Sequence, residues 1–285
     1  MLNYTEVLGV NRRNLRYVDR CNGKKDVLLA NNKLATKAAL SESGIPVPKT
    51  LATVENRRDL LTLNFESLYA FALKPNSGRG GRGILIISGR ENGGWRGPQD
   101  RYYERKKLML HALDILDGYH SRRNNPDIAY FEDLVRPDPM FNRISSEGLS
   151  DIRVIVYKGK PVLAMVRLPT KHSCGKANLH QGAVGVGVDI DSGLTSWAVC
   201  MRRFIENHPD TGMKLRGLHI PNWEKILAMS MGCYESTRIG YMGVDVVLDG
   251  SRGPMVLELN AHPGLDIQLA NKIGLREPLS IIDTI

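Results

Sequence analysis

Three hard oxygen donors stand close together in the stretch VDVVLDGSRGPMVLELN. Asp245 lies on one β-rich run, and Glu258 and Asn260 lie two apart on the next, so those two share a strand face. Folding the stretch about Asp249 to Pro254 sets Asp245 opposite Glu258. Oxygens gathered on one sheet face suit Mg²⁺ that keeps open positions for phosphate groups. The solvent-facing side of an ordinary hairpin, with Leu257 and Leu259 inward, would give the same pattern.

A second stretch, FALKPNSGRGGRGILI, holds Gly78, Gly80 and Gly83 in the spacing G-x-G-x-x-G. A dinucleotide turn requires a helix after the glycines, and β-branched residues follow instead. A P-loop requires Lys-Ser or Lys-Thr after the last glycine, and neither is there. What remains is a strand-to-strand loop whose amides can close over phosphates, with Lys74 on the incoming strand and Arg79 and Arg82 on the tip; a hairpin tip without a ligand is the alternative. Arg153 and Arg167 sit on the two arms of the hairpin DIRVIVYKGKPVLAMVRLP. Guanidiniums there are candidates for binding a carboxylate or acyl phosphate, or for a surface ion pair. Asp189 and Asp191, just before Ser192 and Gly193, read as an exposed turn.

The elements that must position these groups follow from periodicity and breakers. Leu34, Ala38 and Leu40 predict a helix from Lys33 to Ser43, stopped by Gly44 and the extended Pro46 and Pro48. A strand is expected at Thr50 to Val54, then a hairpin across the glycine loop. Residues 89–101 read as an exposed loop, Tyr102 to Tyr119 as a helix, and AYFEDLV as a short strand. Two further hairpins are expected at residues 150–169 and 242–260, with residues 196–239 between them mostly helical around an irregular HPDTGMKLRGLHIP. The pattern predicts an α+β fold with mainly antiparallel pairing.

With 285 residues and 42% hydrophobic content, the chain can bury a substantial core without disulfides. Cys21, Cys174, Cys200 and Cys233 form no C-x-x-C pair, which disfavours zinc and a disulfide framework and fits a reducing cytoplasm. No run approaches the ~18 apolar residues of a membrane span. The formal charge of +9 sits before residue 201, the remainder carrying 9 basic against 10 acidic residues. No basic helix interleaved with aromatics accompanies it, so nucleic acid is disfavoured and nucleotide phosphates or an acidic substrate are favoured.

Six stretches in order, KLATKAALSESGIPVP, LKPNSGRGGRGI, YFEDLV, DIRVIVYKGKPVLAMVRL, KANLHQGAVG and GVDVV with PMVLELNAHPGL, resemble the ATP-grasp carboxylate-amine ligases. The similarity spans about Lys33 to Leu265 and is greatest to the alpha-L-glutamate ligases, with the sugar-transfer-associated ATP-grasp proteins close by. It implies two α+β lobes with antiparallel sheets gripping ATP. The implied division is a short N-terminal segment at 1–48, a small lobe with the glycine-rich lid at 49–131, and a large lobe with the Mg²⁺ site at 132–285.

By the same resemblance, Lys33, Lys74, Gly80, Gly81, Gly83, Asp151, Lys176 and Asn178 contact ATP. Backbone groups of Glu132, Asp133 and Leu134 bind adenine, with Phe131 and Leu134 as its walls. Asp245, Glu258 and Asn260 hold one or two Mg²⁺, with Mn²⁺ able to substitute. The implied reaction joins an amino acid, glutamate or another, to a carboxylate on a peptide, a protein C-terminus or a small molecule. Arg153 and Arg167 are the catalytic candidates, and His180 is placed to approach the acceptor. An ATP-binding partner protein without turnover is the alternative, and homo-oligomerisation is left open. Only about 32 residues precede Lys33, so most of the family's usual N-terminal domain is absent from this sequence. Residues 90–125 and 202–223 read as insertions that could replace its wall of the substrate cleft.

Overall fold

The computed structural model describes residues 4–78, 80–121, 124–145 and 147–284; Arg79 of the glycine loop lies outside them. The chain divides into unit 1, Met1–Val47 with Arg136–Ile285, and unit 2, Pro48–Val135.

Unit 2 is built on an antiparallel sheet in the order β1 (Thr50–Val54), β7 (Ala129–Asp133), β2 (Phe71–Pro75), β3 (Leu85–Ile87). Every position of β2 is buried, as expected for a strand covered on both faces. Helix Arg105–Leu116 buries Leu108, Ala112, Ile115 and Leu116, spaced as one helical stripe. Phe131 stacks edge-on against Phe65 and Phe71, with centroids 6.1 and 5.2 Å away. That ring is therefore committed to the core, and the expected adenine wall at Phe131 is not available.

Residues 89–101, expected to form a loop, instead supply β4 (Gly89–Glu91) and β5 (Gly94–Arg96) of a second small sheet, and its third strand, β6 (Tyr102–Tyr103), takes the residues expected to open the next helix, which begins only at Arg105. Its anchor is Trp95, which is 1% exposed and donates its indole N–H to Leu68 O at 2.8 Å. Glycines and charges around one tryptophan carried a loop signal, while the buried ring ordered the backbone.

Unit 1 holds a fully antiparallel sheet in the order β12 (Arg203–Ile205), β11 (Thr195–Cys200), β10 (Val184–Val188), β9 (Lys160–Leu168), β8 (Asp151–Tyr157), β13 (Tyr241–Asp249), β14 (Gly253–Asn260). One face packs Ile152, Val154, Val156 and Val246 with Ile226 and Cys233 of helix Trp223–Thr237. The other packs Ile155, Tyr157, Met165 and Tyr241 with Leu8 and Tyr17 of the N-terminal segment and Ile267 of helix Ile267–Asn271. Asn22 ties the N-terminal segment to β13, donating to Tyr241 O at 2.7 Å and accepting from Tyr241 N at 2.9 Å. At the outer edge of β14, Val256 N donates to Pro46 O at 2.8 Å.

The expectation of helix across residues 196–239 fails in its first part, because β11 and β12 form a hairpin there and only Trp223–Thr237 is a long helix. The turn between them is Met201 and Arg202, both left-handed at φ +47° and +64°. Such turns ordinarily carry Asn-Gly, and their absence hid the hairpin. Two non-glycine residues in this region cost roughly 1–2 kcal/mol each.

Candidate functional site

Along one face of the unit 1 sheet, apolar and aromatic side chains give way to charged ones. On β8, Asp151 and Arg153 are followed at alternate positions by Ile155 and Tyr157, and on the antiparallel β9 Met165 precedes Arg167. Register pairs Asp151 with Arg167, Arg153 with both Met165 and Asp245, and Asp245 with Glu258; Gly243 pairs with Asn260. The residues singled out on four separate hairpin arms thus meet on adjacent strands.

Their contacts are bidentate. Arg153 donates Nε to Asp245 Oδ1 at 2.7 Å and Nη2 to Oδ2 at 2.6 Å. Arg167 donates Nε and Nη2 to the two oxygens of Asp151 at 2.5 and 2.6 Å, and Nη2 also reaches Asp245 Oδ2 at 2.6 Å. Gly243 lets Pro263 approach beside Arg153, since a Cβ there would come within 2.8 Å of Pro263 Cβ while only touching Arg153 Nε at 3.4 Å. Asp245 is 1% exposed and Asp151 5%, so these charges depend on one another.

Burial opposes ionisation of Asp245, but Arg153 and Arg167 outweigh it and hold the carboxyl below its ordinary range. Burial pushes Asp151 up to about 6, against the pull of Arg167. Burial would lower Arg167, yet Asp151 and Asp245, with Glu258 behind them, raise it above an ordinary guanidinium. Arg167 therefore stays charged at any working pH.

Glu258 and Asn260 are half-buried on β14, and Asn260 Oδ1 accepts from His262 N at 2.8 Å. As neighbouring oxygen donors on one face, they fit a hard cation. Asp245 fits one only if a guanidinium releases an oxygen. Among the described residues, no three His, Cys, Asp or Glu side chains gather as a metal cage.

In unit 2, Lys74 on β2 is buried and donates to Glu132 Oε1 on β7. Asp133 N donates to Lys49 O at 2.8 Å, and half-buried Leu134 follows it. Gly80, Gly81 and Gly83 are left-handed at φ +61°, +72° and +72°, which only glycine adopts cheaply. The root of this loop is held by two histidines. His111 Nε2 lies 2.8 Å from Gly83 O, and a Cβ at Gly83 would come within 2.4 Å of the His120 ring. Burial and the neighbouring His111 both lower His120.

Lys33 is the first residue of helix Lys33–Glu42, whose N-cap Asn32 accepts from Ala35 N at 2.9 Å. Lys176 is exposed in the β9–β10 connection, where Asn178 accepts from His180 N at 3.0 Å. Asp189 accepts from Ser192 N and Oγ at 2.9 and 2.6 Å, an exposed turn as its sequence predicts. Asp249, by sequence only the start of a turn, proves to be an anchor. It is 2% exposed and accepts from the backbone N–H of Arg136, Ser251 and Arg252 and from the Arg252 side chain. Those donors outweigh its burial and hold it far below the ordinary carboxylate range.

A family model described as sugar-transfer associated ATP-grasp matches residues 12–284. No curated protein matches the chain. Among solved structures, D-alanine–D-alanine ligase from Bacillus anthracis complexed with ATP is similar at 16% identity and TM-score 0.51, covering 90% of this chain and 65% of that one. A Rhizobium etli pyruvate carboxylase variant with acetyl coenzyme A is similar at 15% identity and TM-score 0.57, covering 98% of this chain and 21% of that one. The ATP-grasp ligase PsnB, complexed with a minimal precursor, is 14% identical at TM-score 0.47, covering 93% of this chain and 62% of that one. The chain thus spans less than two thirds of the length of either ligase. At these identities the likeness is one of fold. No described helix is long and apolar enough to cross a membrane.

Proposed function

The chain belongs to the sugar-transfer associated ATP-grasp family, and from that premise we propose that it is an ATP- and Mg²⁺-dependent ligase joining a carboxylate to an amine. The observation that supports this most is the sheet face on which Arg153 and Arg167 are fixed by Asp245 and Asp151 beside the oxygen donors Glu258 and Asn260. Two rigid guanidiniums next to a hard-cation site suit an anion that gains and then loses a phosphoryl group.

In this reading a substrate carboxylate oxygen attacks the γ-phosphorus of ATP, and the β–γ bridging bond breaks to release ADP. The amine nitrogen then attacks the acyl carbon. The C–O bond to phosphate breaks, phosphate leaves with the electron pair, and the ammonium loses its proton to solvent. Arg153 and Arg167 bind the carboxylate and neutralise charge as it becomes an acyl phosphate. Lys33, Lys74, Lys176 and Asn178, with the amides of Gly80, Gly81 and Gly83, bind the phosphates, and backbone groups of Glu132, Asp133 and Leu134 bind adenine. Asp151 keeps Arg167 aimed. Glu258 and Asn260, with Asp245 once an arginine yields, would hold Mg²⁺, which supplies charge neutralisation at the transferred phosphoryl group. The acceptor class is a peptide, a protein C-terminus or a small molecule, and the amine an amino acid such as glutamate. The compartment proposed is the cytoplasm, which suits four cysteines without a disulfide among the described residues.

One observation favours a second reading, an ATP-binding protein without turnover: both oxygens of Asp245 are taken by guanidiniums. Incubation with Mg-ATP, pooled amino acids and candidate carboxylates separates the two. Amide with stoichiometric ADP and phosphate supports the ligase, and Glu258→Ala should then lower turnover about 10²-fold or more, the scale for one preorganised electrostatic group. ATP binding with no turnover on any acceptor, or full turnover in that variant, overturns it.

A further inference from the structure

Unit 1 contains a cleft of about 330 Å³ outside the arginine–carboxylate network. Its volume falls at the lower end of small-molecule sites, roughly 300–1,000 Å³, which suits one small metabolite. Apolar Leu179, Val199 and Leu269 line it, and its polar side chains include His180, Arg202 and Asp266. His180 Nε2 lies 3.4 Å from Asp266 Oδ2.

Two features tie the cleft to chemistry. Leu179 lies over Gly185, where a Cβ would come within 2.6 Å of its Cδ2, and Gly185 pairs in register with Arg167. Asp266 lies in the same chain segment as Asn260, just before helix Ile267–Asn271. The cleft therefore adjoins the face that carries the arginines. Second, its rim holds the left-handed Met201–Arg202 turn. Left-handed non-glycine backbone occurs in ordinary turns as well as at ligand clamps, and here the turn places a guanidinium on the rim of the cleft.

A cation, an anion and an apolar strip in one small cleft match the three parts of an α-amino acid, its carboxylate, its ammonium and its side chain. We propose that the cleft binds a free α-amino acid as its zwitterion, Arg202 taking the carboxylate, Asp266 the ammonium, and Leu179, Val199 and Leu269 the side chain. Only the amino acid's role as the attacking amine rests on the ligase reading. A guanidinium makes paired bonds to a carboxylate, and an ammonium delivers its three donors to an acceptor such as Asp266.

The test titrates each of the twenty common L-amino acids into the intact protein by calorimetry without ATP, on wild type, Arg202→Gly and Asp266→Asn. Glycine suits the left-handed backbone at 202, so Arg202→Gly should raise the melting temperature or leave it unchanged while weakening binding roughly tenfold or more. Asp266→Asn should weaken it comparably. Binding of none of the twenty, or binding that neither variant weakens, overturns the proposal. Amide synthesis is assayed in parallel. Turnover with no binding in the cleft sinks this inference alone, and binding through Arg202 and Asp266 without amide or ADP sinks the ligase reading alone.

Discussion

Replacing Arg167 with Met removes three charge-assisted bonds at once, two to Asp151 and one to Asp245. Asp245 keeps the paired bonds from Arg153, so the damage falls mainly on Asp151, whose side chain is 7% exposed. Removing one partner of a buried ion pair costs about 3–5 kcal/mol. Asp151 can escape part of that cost by taking a proton. Burial already lifts it to about 6 with Arg167 present, and without Arg167 it rises further. The sign follows: a carboxyl raised in the fold binds its proton more tightly there than in the unfolded chain, so its effect on stability worsens as pH rises. In wild type that loss runs from about pH 4 to 6; in Arg167→Met it continues above 6, at about 1.4 kcal/mol for each additional pH unit before the carboxyl ionises. The variant should therefore cost more at pH 8 than at pH 5. Urea unfolding in a Trp95→Phe background gives the measurement, since the remaining tryptophans, Trp197 and Trp223, both report on unit 1. Asp151→Asn with Arg167→Met should cost less than Arg167→Met alone and show no such slope. A cost below about 1 kcal/mol at pH 8, or one equal at pH 5 and 8, would refute the idea that this pair is held by mutual neutralisation.

Asp151→Asn alone should flatten the fall in wild-type stability between about pH 4 and 6, read from the same urea midpoints; an unchanged slope would exclude Asp151 as its source. Lys74→Met removes the cation that donates to the buried Glu132 carboxylate and should destabilise unit 2 by up to about 3–5 kcal/mol; adding Glu132→Gln should recover part of that stability but not ATP affinity, measured by calorimetry. Gly83→Ala forces a side chain into left-handed backbone and against His120, and should destabilise unit 2 by at least about 1 kcal/mol in Trp95-detected unfolding. Asp249→Ala leaves several turn donors without their acceptor and should cost on the order of 3 kcal/mol. Because Asp249 is depressed in the fold, its contribution holds above the ordinary carboxylate range and is lost progressively as pH falls through that range and below it, which acid titration of wild type against variant will show.

The hairpins carrying Arg153, Arg167, Asp245 and Glu258 were legible because alternation and turn residues mark such strands, and their meeting follows from antiparallel pairing. That both oxygens of Asp245 are claimed by arginines was not legible, since it depends on strand order across the sheet. The β11–β12 hairpin and the sheet around Trp95 escaped for opposite reasons, one lacking turn glycine and the other having glycines in excess. Arg202 and Asp266 carry no local pattern at all. Tertiary placement alone brings them into one cleft.

The proline-bearing segment against β14 has a consequence for the chain among its own copies. An exposed sheet edge is a template on which another molecule's strand can add. The residue that takes the Val256 N–H is Pro46, whose own nitrogen carries no hydrogen to offer a further strand. At the opposite end of the sheet, β12 spans only Arg203–Ile205, too short to seed a long pairing. Both edges of the seven-stranded sheet thus offer little to a second copy's strand, one answered by Pro46 beside the strand that carries Glu258 and Asn260 and the other only three residues long.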